Sequence, residues 1–307
     1  MMIKKDIFHN DLKQKLKASA NDKLFSFLMA DGMLRGAVVN TTRMIREMRA
    51  NHELGPLETL VLGHAYTAAA LMTANLKGKD RLSLSIRCSG PVRGVDVEAN
   101  VFGEVRGFLK NPKIEVEHPS NVKSLSQLFG AGILTVTKYL EDAKAPYSGQ
   151  VALEYGSIAE DLALYFLESE QKPAGFNLSV DFDENEDLLG AGGIFLQAMP
   201  GADEDLLKNA EKTMASLSNL GSRFAGEESC DRVVLKEFEP LDPVILSDRR
   251  VAFFCRCSAE KMEGHLSRLP EADRKDILDK SEFPLEIRCH HCNTVYSFSR
   301  EDIEKMM

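Results

Sequence analysis

The chain has 307 residues, 44% of them hydrophobic, with 38 Lys and Arg against 47 Asp and Glu and a formal net charge of −9. That balance fits a folded chain of about two domains and excludes a wholly disordered polymer, a collagen or a coiled-coil rod. An acidic total also argues against nucleic acid as the default partner, and no apolar run reaches the roughly 18 residues of a membrane span.

The start, Met1-Met2-Ile3-Lys4-Lys5-Asp6, turns polar before a secretory leader could form, so a cytoplasmic location is expected. Residues 24–30 and 34–39 are apolar runs around Asp31-Gly32, which predicts a hairpin. Thr41 or Thr42 is placed to cap a helix through Met44, Ile45 and Met48. A second helix is expected from Pro56 to near Gly78, with Leu57, Leu60, Val61, His64, Ala68, Leu71 and Met72 on one apolar face. His64 on such a stripe reads as a core histidine rather than a ligand. Leu82, Leu84 and Ile86, then Val95, Val97, Ala99 and Val101, alternate with polar residues, the signature of half-buried antiparallel strands. Cys88, at the end of the first of these, reads as a small buried hydrophobe. Residues 147–154 continue the alternation, and Ser157-Ile158-Ala159-Glu160 has the form of a capping box for a helix burying Leu162, Tyr165 and Phe166. Residues 1–182 are therefore expected to form one α+β unit with a largely antiparallel sheet.

The character changes at residue 183. Gly190-Ala191-Gly192-Gly193 matches neither a dinucleotide fingerprint nor a phosphate loop and is expected to be a tight turn before the apolar run 194–199. Asp203-Glu204-Asp205 opens a helix with Leu206, Ala210, Met214, Leu217 and Leu220 on one face. Residues 181–250 hold 7 basic and 16 acidic side chains, which accounts for the whole net charge. Residues 183–250 are thus expected to be an acidic, marginal helical linker, held by docking on a neighbour. Cys230 follows Glu227-Glu228, whose charge disfavours a thiolate.

Residues 251–307 carry the chemistry. Cys255-Arg256-Cys257 and Cys289-His290-His291-Cys292 are two tight pairs separated by 31 residues. In a cytoplasmic chain such pairs point to a metal or redox site, and four soft anionic thiolates suit one tetrahedral zinc. Ser258 is expected to cap a helix with Met262 and Leu266, and Pro270 to open another with Ile277 and Leu278. Strands through Leu285 and Ile287 and through 295–298 should flank the second pair. So few apolar residues over 57 positions make a thin core, so metal should supply much of the folding energy. Close thiolates also oxidise readily, each pair resolving its own sulfenic acid, with Arg256, Arg288, His290 and His291 adding positive potential. A purely structural zinc clip remains open on these residues alone, as does His290 or His291 as a substitute ligand.

Elsewhere, Ser-x-x-Lys occurs at 120–123 and again at 258–261, which shows how cheap that pattern is, and Gly-x-Ser-x-Gly and His-Glu-x-x-His are absent from the sequence. No enzyme is expected.

The two cysteine pairs with their spacing, residues 191–200 (Ala-Gly-Gly-Ile-Phe-Leu-Gln-Ala-Met-Pro), residues 165–173 and Gly90-Pro91 occur in one order. Together they resemble the 33 kDa chaperonin (heat shock protein 33) family along the whole chain. The resemblance implies an ATP-independent holdase for unfolding proteins under oxidative stress, inactive with zinc on four reduced cysteines. It implies that oxidation to disulfides releases zinc, unfolds switch and linker and exposes apolar surface, the active form being a homodimer. Disulfides are expected as Cys255–Cys257 and Cys289–Cys292, because sequence neighbours meet before the module can reorganise. Leu206, Met214 and Leu217 are the candidate linker or client face. Competing readings are a constitutive zinc ribbon binding protein or nucleic acid, against which residues 251–307 sum to −2, and a thiol oxidoreductase, against which strands rather than a strand and helix flank Cys289.

Overall fold

The computed structural model describes residues 1–7, 11, 22–115, 125–217, 219–226 and 228–305; the match at 120–123 and Glu227 lie outside the described residues. β1 (Lys23–Met29) and β2 (Leu34–Asn40) form the expected hairpin, with Met29 opposite Leu34. Its turn needs positive φ at Ala30, Asp31 and Gly32, which the Asp-Gly pair makes tolerable. α1 (Thr42–His52) follows, but neither threonine caps it by side chain. The Thr41 hydroxyl pairs with that of Thr67 at 3.0 Å, while the buried Asp22 carboxylate accepts the first-turn backbone N–H groups of Arg43 at 3.1 Å and Met44 at 2.7 Å.

α2 (Pro56–Met72) opens at its proline as expected and ends in a 3₁₀ turn at Thr73–Asn75, short of Gly78. It is not amphipathic in the predicted sense. Thr59, Val61, Leu62, Ala65, Tyr66, Ala68, Ala69 and Leu71 are buried around its whole circumference, because the helix is packed between two sheets. Its many small residues let both sheets approach the axis closely.

The larger sheet contains β3 (Arg81–Cys88), β4 (Gly94–Asn100), β5 (Glu104–Leu109), β6 (Gly132–Tyr139) and β7 (Tyr147–Ala152), with the short α3 (Ser126–Phe129) before β6. Its antiparallel order is β5-β4-β3-β6-β7, and the alternating apolar residues face α2. α4 (Ile158–Glu168) buries Leu162, Tyr165 and Phe166 as expected. The capping box does not form: Asp161 instead accepts from the backbone N–H groups of Glu154, Tyr155 and Ser157 at 2.9–3.1 Å.

β9 (Leu188–Ala198) pairs with β2 in the second sheet, and β8 (Ala174–Phe182) pairs with β9 at that sheet's edge. The glycines at 190–193 are therefore not a turn but the middle of a strand. A β-carbon at Gly190 would sit 2.0 Å from the Gly221 carbonyl oxygen, so the glycines admit a helix onto the strand's face. That helix is α6 (Leu220–Ala225), which stands between α5 (Glu204–Ser216) and α7 (Cys230–Glu237). The single helical face predicted from Leu206 to Leu220 is thus broken: Asn177 on β8 donates its side-chain N–H groups to the carbonyls of Met214 and Leu217 and ends α5 there. β10 (Val244–Arg250) returns to pair with β1, giving the order β10-β1-β2-β9-β8. The segment 183–250 accordingly begins and ends with strands of this sheet and is helical between them.

α5–α7 cover the outer face of the sheet. Ala210, Met214, Leu217, Leu220, Phe224, Val233 and Phe238 bury Phe27, Met29, Leu34, Val38, Ile194 and Leu196 in a second core, separate from the one around α2.

Beyond Val251 the chain crosses to the other sheet, where β11 (Ala252–Phe253) lies parallel to β5. α8 (Ala259–Leu266) is capped by Ser258, whose hydroxyl accepts from Lys261 N–H, and α9 (Glu271–Lys280) follows Pro270, both as expected. β12 (Leu285–Arg288) and β13 (Val295–Phe298) are the predicted strands around the second cysteine pair, and α10 (Arg300–Lys305) closes the described chain. The fold is α+β with largely antiparallel sheets. Among the described residues no helix is long and apolar enough to cross a membrane.

Candidate metal centre

The β12–β13 hairpin continues past Arg288 and Val295 through one further bond, Cys289 N–H to the Thr294 carbonyl at 2.9 Å. The loop between is closed by Asn293 N–H to the Cys289 carbonyl at 2.8 Å, with Asn293 at φ 55°, a conformation asparagine tolerates well. This turn places the Cys289 and Cys292 sulfurs on one side. The other pair lies on extended chain just after β11, before Ser258 starts α8.

All four sulfurs lie within 4.8 Å of one another, and each cysteine is buried. Cys255 Sγ is 3.8 Å from Cys289 Sγ, and Cys257 Sγ is 3.4 Å from Cys292 Sγ. Tetrahedral zinc with Zn–S of about 2.3 Å sets sulfur–sulfur distances of roughly 3.8 Å, so the tetrad fits such an ion. Unbonded, four sulfurs this close share protons: hydrogen bonds from Cys289 and Cys292, then one from Arg106, hold the Cys255 thiol well below its ordinary range, while that shared contact pushes Cys289 up to about 11.

Hydroxyl and guanidinium groups surround the sulfurs. Tyr296 donates to Cys257 Sγ at 3.1 Å, Thr294 Oγ1 stands 3.2 Å from Cys292 Sγ, and Arg106 Nη1 donates to Cys255 Sγ at 3.4 Å. Donors to sulfur orient thiolate ligands and lower their charge density. The cations expected from sequence are engaged elsewhere: Arg256 pairs with Glu104 at 2.8 Å and Arg288 with Glu286 at 3.8 Å. His290 stacks on Phe108 at 4.9 Å and His291 meets the same ring edge-on at 5.6 Å; neither joins the ligand cluster.

The module is seated on the core. Asn51 at the end of α1 donates to the Cys292 carbonyl at 2.9 Å and receives Asn293 Nδ2 on its own carbonyl at 2.9 Å. Gly107 N–H donates to the His291 carbonyl at 3.2 Å, and Met2 Sδ accepts Cys255 N–H at 3.0 Å. Sequence reading found the four thiols but none of Met2, Asn51, Arg106 or Phe108. Nothing in their local sequence marks them, since each meets the module through contacts distant in sequence, from residue 2, from the end of α1 and from β5.

Cys88 and Cys230 lie apart from the tetrad, as their isolation in sequence suggests. Leu206, Met214 and Leu217 are packed on the second core, the last two buried.

The sequence model of the Hsp33 protein family matches residues 22–299. A 33 kDa chaperonin of Desulforamulus reducens is 34% identical over 287 residues, which span 93% of this chain and 97% of that protein. One from Clostridium perfringens is 34% identical over 293 residues, 94% and 92% of the two chains. The crystal structure of the 33 kDa chaperonin of Thermotoga maritima superposes with a TM-score of 0.83 at 30% identity, covering 93% of this chain and 97% of that one.

Proposed function

The chain belongs to the Hsp33 protein family, a family of chaperones, and from that premise we propose that it is a redox-regulated, ATP-independent holdase of the cytoplasm rather than an enzyme. The observation that carries the reading is the buried tetrad of Cys255, Cys257, Cys289 and Cys292. Bound there, one zinc would hold four thiolates together and supply folding free energy to a module whose own core is thin.

The chain's residues then perform the switch. In each pair two thiols give up two electrons to one peroxide, forming one S–S bond while the peroxide becomes two waters. The proposed bonds, Cys255–Cys257 and Cys289–Cys292, cut across two short sulfur contacts, from Cys255 to Cys289 and from Cys257 to Cys292. Sulfurs in a disulfide are about 2.05 Å apart and neutral, so the tetrad cannot survive both bonds. With the module reorganised, β11 and the segment into β10 lose their anchor. We propose three functional parts, a core of residues 1–182, an acidic linker of 183–250 and a switch of 251–307, with the labile portion confined to α5–α7. Their release would uncover Phe27, Leu34, Val38, Ile194 and Leu196 together with Leu206, Met214 and Leu217, an apolar face for unfolded clients, held by an activated homodimer.

The test is suppression of client aggregation by the reduced and the peroxide-treated protein, with zinc and free thiols counted per chain. Activity after oxidation, one zinc and four reactive thiols before it, and reduced zinc in each single Cys→Ser variant are expected. Equal activity in both states would leave a constitutive chaperone, and a dominant disulfide between the pairs would overturn the proposed connectivity.

A further inference from the structure

We propose that Arg106 is a positioning residue of the switch: it ties the Cys255 sulfur to the core, so that docking of the cysteine module and the reduced state of Cys255 become one condition. This rests on the redox-chaperone reading and adds the contact through which the core senses the sulfur.

Arg106 lies on β5, and the antiparallel register puts Glu98 of β4 directly opposite. Glu98 Oε2 accepts from Arg106 Nε at 3.0 Å and Nη2 at 2.7 Å, which fixes the plane of the guanidinium. Nη1 is thereby aimed out of the core and reaches Cys255 Sγ at 3.4 Å. Both charged side chains are 31% exposed, so solvent weakens the pair without dissolving its geometry.

The guanidinium keeps its charge at every physiological pH, so the strength of this third bond depends on the sulfur alone. A thiolate is a charged acceptor, and a disulfide sulfur is a neutral, weak one. Oxidation therefore removes the bond without a change in Arg106. Glu98 still neutralises the cation, so the core is left with no stranded charge and the release is reversible.

β5 carries three attachments to the module in succession: Glu104 to Arg256, Arg106 to Cys255, and Gly107 with Phe108 to the His290-His291 turn. Of these three, the Arg106 contact alone ends on an atom that oxidation alters. The adjoining backbone bonds, Ala252 N–H to the Gly103 carbonyl at 2.8 Å and Phe254 N–H to the Val105 carbonyl at 3.0 Å, report whether the seam is closed.

Hydrogen exchange of the full-length reduced protein reads that seam without zinc loading or a client. Arg106→Met should raise exchange across residues 252–257 about tenfold, the loss of one charge-assisted bond, with α2 unchanged. Arg106→Lys should restore part of the protection, and Glu98→Gln should keep most of it. The decisive comparison uses two backgrounds that each break the tetrad. Arg106→Met should still loosen the seam in Cys292→Ser, which retains the Cys255 sulfur, and add nothing in Cys255→Ser. Equal behaviour in both backgrounds, or Glu98→Gln matching Arg106→Met, overturns the proposal. Failure of oxidised protein to hold clients would sink the chaperone reading and leave this exchange result standing.

Discussion

Cys230 opens α7 with its sulfur 3.8 Å from the Lys23 carbonyl and only 3% of the residue exposed, and burial, reinforced by Asp22, holds its thiol well above the ordinary range. Burial likewise raises Cys88. Neither sulfur is placed to react, so a Cys88→Ala/Cys230→Ala chain should bind zinc and activate at the parent rate; slower thiol loss to peroxide in that chain would give one of them a part in the switch. His64 makes a pH prediction. Burial depresses its imidazole from 6.5 to about 4, against a weaker opposing pull from Asp181. Between those values the unfolded chain takes up a proton that the folded one refuses, so stability falls on acidification. From pH 7 to pH 5 this group should contribute a loss of about 1–2 kcal/mol at 1.36 kcal/mol per unit, and His64→Gln should flatten the decline in urea midpoint by that amount. An unchanged slope would show the ring protonated in the fold. The clustering of the four thiols was legible because two close pairs in sequence announce themselves by spacing alone. Tyr296 and Arg106 were not, because a donor aimed at sulfur and one aimed at water have the same local sequence.

At the scale of elements, β8 supplies the polar contacts that fix α5 and α6 on the second core. Asn177, Ser179 and Asp181 alternate along the strand, a pattern that reads as a solvated face. Asn177 instead ends α5, Ser179 Oγ accepts Gly221 N–H at 3.1 Å, and Asp181 Oδ2 accepts Ser222 N–H at 2.7 Å and its hydroxyl at 2.9 Å. The close approach of Gly190 and Gly221 completes the latch. Gly221→Ala would put a β-carbon 2.4 Å from the Gly190 carbonyl oxygen, so α6 has to lift. That variant, and Asn177→Ala, should bind a hydrophobic dye and suppress aggregation in reductant, several-fold above the parent chain, with zinc retained. Polar substitution at Met214 and Leu217 separates two roles of the same face: reduced-state activity marks it as a latch, and weaker holding after oxidation marks it as part of the client surface. No effect in either state would place the output elsewhere. The hairpin, the antiparallel strands and the helices at 258–280 were readable from period and caps. The glycine strand and the failed threonine cap were not, because Gly221 lies 31 residues after Gly190 and Asp22 lies 20 before Thr42, whereas at Ser157 the competing Asp161 is local and differs from the box by one position.

For the whole molecule, the two cores are expected to divide the consequences of oxidation. The α2 core lies between the two sheets and continues into the cysteine module, whereas the second core has the sheet on one side and three short helices on the other. Hydrogen exchange after peroxide should therefore lose protection over α5–α7 and residues 251–305 while α2 and β3–β6 keep theirs; loss across α2 would mean global unfolding rather than a switch. The acidic charge of residues 181–250 is visible from composition, but most of it flanks α5–α7 and does not by itself mark the helical portion. Composition could not show that strands of the stable sheet bracket it, since strand pairing is set by register and not by charge.

β1 has β2 on one side, ready a few residues later, and β10 on the other, with Lys23 paired to Arg250. At translation rates of roughly 5–20 residues per second, that second neighbour emerges some ten to forty-five seconds after the first strand. Throughout that interval a nascent chain carries Phe27 and Met29 on a strand with an open hydrogen-bonding edge, the arrangement most prone to pair with whatever passes. A chaperone thus spends its own synthesis exposed to aggregation, and its yield on the ribosome should fall with slower elongation between β2 and β10.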